Sequence, residues 1–268
     1  MVRHISRLVL VMLLSTGAYS AHASHTSTST TTKAGKYDIA IPVLFGVTRA
    51  DITPDFGDPR GGGTRSHEGQ DIRALEGTPI VSPVKGTVSG FGTAANPGKY
   101  VYVKGSDGYT YAFMHLDEIA KLKRGQKLKV GDLIGTVGET GNAKGTTPHL
   151  HFEIRKGKPI DPYPRLTKEF TFEDKITYLN GALSDLKKSD ELVKFVVERY
   201  SGTLLLAQAS DIELNKKFVT ALKKQGSISV SSTTLGLREG MDNEDVRVLQ
   251  IALIRANMGP QAVKLGVT

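Results

Sequence analysis

Hydrophobic and polar positions change rhythm along this chain. From residue 61 to 162, short runs either alternate with a period of two or are apolar throughout, and Gly or Pro separates them. Residues 78–81, 86–88, 100–103, 109–116, 133–137 and 149–155 read as strands, because successive side chains of an extended chain point to opposite faces. Ser106, Asp107 and Gly108 carry the turn chemistry of a hairpin between two of these runs. Only residues 117–121 suggest a turn of helix. From 168 to 223 the period lengthens. Ile176, Leu179, Leu183, Leu186, Leu192, Phe195 and Val196 recur at three- and four-residue steps, as on one face of a helix or helix pair. Gly181 and Ser189–Asp190 are expected to break that run, and a second helical stretch is expected over about 212–224. Residues 226–234 are polar and Ser/Thr-rich, a linker, and 236–258 read as turn plus helix. The pattern predicts a mainly β domain, an antiparallel sheet sandwich, followed by an α-helical C-terminal region.

The N-terminus adds an address. Arg3, His4 and Arg7 precede a short apolar run over 8–14, and Ala21 and Ala23 make a small-x-small cleavage site. Residues 1–23 therefore read as a secretory signal peptide, too short in its apolar part for a stable membrane anchor. Residues 24–36 form a Ser/Thr-rich linker that cannot bury apolar surface. The expected division is then a β domain over 37–166, a helical region over 167–225, and a linker with a terminal helix over 226–268.

Composition narrows the chemistry. The formal charge of +8 favours an anionic partner. There is no Trp and no Arg-rich stripe with interleaved aromatics, which argues against nucleic acid. There is no Cys, so disulfides and thiolate ligands are excluded and any metal must be held by His, Asp, Glu or water. An exported, cysteine-free chain points to a bacterial envelope or the exterior.

Of the seven histidines, those outside the first 25 residues are His67, His115, His149 and His151, all within the β domain. In 149–154, His149, His151 and Glu153 share one face of a strand, and Leu150, Phe152 and Ile154 share the other. His67 and Asp71 pair an imidazole with a carboxylate, both good zinc ligands. The helical His-Glu-x-x-His motif does not apply: position 71 is Asp, Gly69 weakens a helix, and the surroundings are β and loop, which leaves Glu68 as a surface acid. Tyr109, Tyr111, Phe113 and His115 fall on one face of their strand by the same parity. His67, Asp71 and one of His149 or His151 would make a three-ligand site with water in the fourth place. The two remaining imidazoles suit acid–base work near neutral pH.

These residues lie in a longer series. Arg65-x-His67-x-Gly69-x-Asp71-Ile72 is followed by Gly77-Thr78-Pro79-Ile80 and Tyr111-x-x-Met114-His115-Leu116. Gly125-Gln126, Gly131-Asp132-x-Ile134-Gly135, Gly138-x-Thr140-Gly141 and residues 147–154 complete it. Residues 61–161 resemble the lysostaphin/LytM-type zinc metallopeptidases. The resemblance implies His67, Asp71 and His151 as zinc ligands and His115 and His149 as catalytic imidazoles. It also implies hydrolysis of peptide bonds in peptidoglycan stems or cross-links. An inactive relative that regulates another wall hydrolase is the alternative, although such relatives typically lack some of the metal residues. Residues 237–253 resemble the first helix of a small peptidoglycan-binding module, which would give the C-terminal region a role in wall binding; an ordinary terminal helix is the alternative.

Overall fold

A computed structural model describes residues 38–225. The expected signal peptide, the Ser/Thr-rich linker and the 226–268 segment lie outside these residues. Seven strands form the main sheet: β1 (Gln70–Arg73), β2 (Gly86–Ala94), β3 (Gly98–Gly105), β4 (Thr110–Leu116), β5 (Lys127–Leu128), β6 (His149–Lys156) and β7 (Lys158–Ile160). The order is β7-β6-β4-β3-β2-β5, with β1 also paired to β6. Every pairing in it is antiparallel. β4 lies along one side of β6. On the other side β1 pairs with the first half of β6 and β7 with its last three residues.

The alternation seen in the sequence decides the faces of this sheet. Val101, Val103, Tyr111, Phe113, Leu150, Phe152 and Ile154 are fully buried on one face. They pack with Ile41, Val43, Ile80 and Ile134 in one core. Each such side chain contributes about 1.5–3 kcal/mol on burial. The opposite face carries Tyr102, Met114, His151 and Glu153, which line an open groove of about 570 Å³. The β3–β4 hairpin closes through Asp107, whose carboxylate accepts the Tyr109 amide at 3.2 Å and the Tyr111 hydroxyl at 2.5 Å.

Three helices follow: α1 (Phe172–Asp185), α2 (Ser189–Ala209) and α3 (Lys216–Gln225). Thr171 caps α1 by accepting the Asp174 amide at 3.1 Å. The helices are built onto the β part through a second core, in which Leu44, Phe45, Val81 and Leu133 join Ile176, Leu179, Val196 and Leu204. Phe45 stacks on Tyr200 with ring centroids 5.1 Å apart. No helix among the described residues is long and apolar enough to cross a membrane.

Three local expectations are corrected. Residues 117–121 are not helical, because their amides are taken by a neighbouring segment: Asp117 donates to Thr136 and Ala120 to Ile134. Gly181 does not break α1, which runs through it; the break falls between α1 and α2, after Asp185. His115 does not stay on the face of Tyr111 and Phe113. Its φ of 63° turns the chain at the strand end and sends the imidazole to the groove side. Left-handed backbone is uncommon for a non-glycine residue and collects at functional sites.

Candidate active site

Register brings the site together. His151 on β6 stands directly opposite Asp71 on β1 and Met114 on β4. His67 precedes β1 in a loop held by paired backbone bonds, the His67 amide to Asp58 and the Gly57 amide to His67. Gly69 lets this loop pass close to β6: a Cβ there would lie 2.7 Å from His151 Nε2 and 2.7 Å from the Phe152 carbonyl oxygen. Three atoms converge as a result. His67 Nε2 lies 3.1 Å from Asp71 Oδ1 and 2.9 Å from His151 Nδ1, and His151 Nδ1 lies 2.9 Å from Asp71 Oδ1.

The partners of the other ring nitrogens assign the tautomers. A carbonyl or carboxylate oxygen only accepts, so the nitrogen facing it carries the proton. His67 Nδ1 donates to the Asp55 carbonyl at 2.8 Å, and His151 Nε2 donates to Glu153 Oε1 at 3.1 Å. The second nitrogen of each ring faces Asp71 Oδ1, where it holds a second proton in the metal-free protein and offers a lone pair once that proton leaves. Three lone pairs at about 3 Å repel one another unless a cation sits among them. In the metal-free protein a proton answers this need. Burial opposes charge on His67, but Asp55 and Asp71 outweigh it and raise its pKa to about 10. His151 is raised against the same burial by Asp71 and Glu153. Burial works against the Asp71 carboxylate too, yet His151 and His67 hold it well below the usual carboxylate range. The chemistry of this His, Asp, His set fits a zinc ion, which His67, Asp71 and His151 would hold. The three residues are the group among the described residues able to hold a metal ion.

The other two imidazoles flank this centre. His115 Nδ1 donates to the Thr140 carbonyl at 2.8 Å, and His149 Nδ1 donates to the Thr147 carbonyl at 2.8 Å. Each leaves Nε2 bare. The two rings meet edge to face at 5.1 Å, and His149 Nε2 stands 3.9 Å from Asp71 Oδ1. Burial lowers the pKa of His115 to about 4, so it is neutral at neutral pH.

Residues 65–162 match the family model described as Peptidase family M23. The chain carries an M23 peptidase domain. Among its relatives, Cell division protein DipM of Caulobacter vibrioides is 39% identical over 122 residues, covering 42% of this chain and 19% of the relative. Peptidoglycan DD-endopeptidase ShyC of Vibrio cholerae is 31% identical over 172 residues, covering 62% of this chain and 37% of the relative. The L-Ala–D-Glu endopeptidase of Bacillus subtilis is 37% identical over 144 residues, covering 49% of this chain and 43% of the relative. The chain thus spans less than half the length of each.

All five side chains singled out in the sequence meet in the groove of the M23 domain. Sequence reasoning misses the groups that orient them. Thr140 acts through its main-chain carbonyl, which leaves no side-chain signal, and Asp55 acts through its carbonyl together with a carboxylate 3.4 Å from His67 Nδ1. Glu68, expected as a surface acid, is exposed but bonded to Arg155 at 2.5 Å. Parity places Glu153 on the correct face but gives it no role.

Proposed function

We propose that this protein is an exported zinc-dependent endopeptidase that cuts peptide bonds in bacterial peptidoglycan, with 1–23 as its export signal and 37–166 as its catalytic domain. The observation that carries the reading is the pair of adjacent sets: three lone pairs converging on one point, and two imidazoles with bare Nε2 atoms beside it. His67, Asp71 and His151 would hold the metal. Zinc held there supplies an acidified water and polarisation of a scissile carbonyl. His115 and His149, each anchored through Nδ1, present Nε2 to take a proton from the attacking water and return it to the leaving amine. Protonated, either ring also donates a hydrogen bond to an oxyanion in the groove. An inactive scaffold would have no use for two imidazoles poised in this way. The endopeptidase names of two relatives and the anionic character of the wall polymer support the substrate, and the chain's positive charge complements it.

The test is zinc content and digestion of isolated peptidoglycan, with fragments identified by mass. His149→Ala is expected to keep zinc and lose activity, and His151→Ala to lose both. Equal zinc loss in the two variants would refute the assignment of ligands. A wild-type protein that holds no zinc and releases no peptide fragments would refute the enzyme.

A further inference from the structure

Glu153 is a buried carboxylate that the proposed chemistry does not use. It is 3% exposed, yet it faces a ring that the site needs. Burying a carboxylate costs several kcal/mol unless partners compensate, so its partners say why it is there. Glu153 Oε1 accepts from His151 Nε2 at 3.1 Å, and Oε2 accepts from Arg155 Nε at 2.6 Å. Arg155 continues outward, its Nη2 donating to Glu68 Oε2 at 2.5 Å. Glu68 follows His67 directly in the chain. A closed circuit results, from His151 through Glu153, Arg155 and Glu68 back to His67.

This circuit has two physical consequences. Of the four histidines in the groove, His151 alone is tied through Nε2, so it alone presents Nδ1. Without an acceptor at Nε2, nothing on the ring selects that tautomer or holds its tilt. Arg155, in turn, balances the second carboxylate oxygen, so Glu153 remains ionised beside His151. Glu68 joins the arm to the loop that carries His67, so both histidines are referred to one frame.

We infer that Glu153 is a positioning residue for metal uptake: with Arg155 and Glu68 it locks His151 so that Nδ1 faces the metal. The inference rests on the metal-centre reading above. Carboxylates placed behind a ligating histidine typically govern metal affinity by about 10–100-fold.

Zinc dissociation constants should be measured by competition with a chromophoric chelator for the wild type, Glu153→Ala, Glu153→Gln and Glu68→Ala. The melting temperature of each metal-free protein serves as control. Glu153→Ala is expected to weaken zinc binding by about 10–100-fold. Glu153→Gln keeps the volume and one carbonyl acceptor but places an amide N–H₂ against Arg155, and should show a smaller loss at an unchanged melting temperature. Glu68→Ala, at the exposed end, should show the least. In the zinc-loaded wild type the His151 Nε2 proton should be visible by NMR as a hydrogen-bonded signal, and it should vanish in Glu153→Ala. Affinities of both Glu153 variants within about twofold of wild type would overturn the inference while leaving the metal centre intact. A wild type that binds no zinc would overturn both. If Glu153→Ala does not fold, Glu153→Gln decides by the same criterion.

Discussion

Replacing Gly69 by Ala adds one methyl group at a crowded point beside His151. Its Cβ would stand 2.7 Å from His151 Nε2, 2.9 Å from His151 Cε1 and 2.7 Å from the Phe152 carbonyl oxygen. The carbonyl cannot withdraw freely, because Phe152 is paired with Gln70 in the β1–β6 ladder. The His151 ring must therefore move, away from Glu153 at one nitrogen and from the Asp71 position at the other. Overpacking of this kind costs about 1–3 kcal/mol. For a domain of this size each kcal/mol shifts the melting temperature by about 2–4 °C, so a fall of roughly 2–12 °C is expected. A zinc site tolerates ligand displacements of only about 0.2 Å, so zinc affinity should fall as well. Gly181 supplies the matched control. It lies inside α1, with nothing within 4 Å of where an added methyl would sit and no unusual backbone angle. Gly181→Ala should raise stability by about 0.4–1 kcal/mol, since Gly is a poor helix former. The assay is thermal melting of both metal-free variants with zinc competition titrations alongside. A Gly69→Ala protein that melts and binds zinc like the wild type would refute the claim that close approach at Gly69 sets the ligand geometry.

Other outcomes follow from the same contacts. Zinc must displace the proton on His67, whose pKa lies at about 10 in the metal-free protein. Apparent zinc affinity should therefore rise from pH 5 to pH 9, by up to about tenfold per pH unit for each proton released; a flat profile in chelator titrations would contradict the convergent lone pairs. The same raised pKa stabilises the metal-free fold below the ordinary histidine value of 6.5, and that contribution fades as pH rises through about 10. Thr140 Oγ1 donates to the Leu116 carbonyl at 2.8 Å and accepts the Lys99 amide at 2.9 Å, which fixes the loop whose carbonyl holds His115. Thr140→Val keeps the shape and removes both bonds, so stability should fall by about 1–3 kcal/mol. Zinc content should be unchanged while kcat drops by up to about 100-fold; an unaltered kcat would show that His115 is held by other means.

The sequence is most legible where a structural relation is short. The period of two places His149, His151 and Glu153 on one face, and the register against Asp71 then assembles the centre. The helical period is readable too, yet Gly181 misleads: its cost of about 1 kcal/mol is outweighed by the burial of Leu179, Ala182 and Leu183 around it. Parity fails at His115, because a single positive φ reverses the face and the alternation of residue types carries no trace of it. The division of labour proposed for the histidines depends on which ring nitrogen is tied. For His149 and His151 the tie is two residues away, at Thr147 and Glu153. For His67 it is twelve residues away, and for His115 twenty-five. The local ties lie within reach of a strand pattern: a carboxylate two residues beyond His151 on the same face is the acceptor that turns Nδ1 inward. The remote ties run through main-chain carbonyls, joined at His67 by the Asp55 carboxylate at 3.4 Å, and only the folded chain reveals that Asp55 and Thr140 supply them.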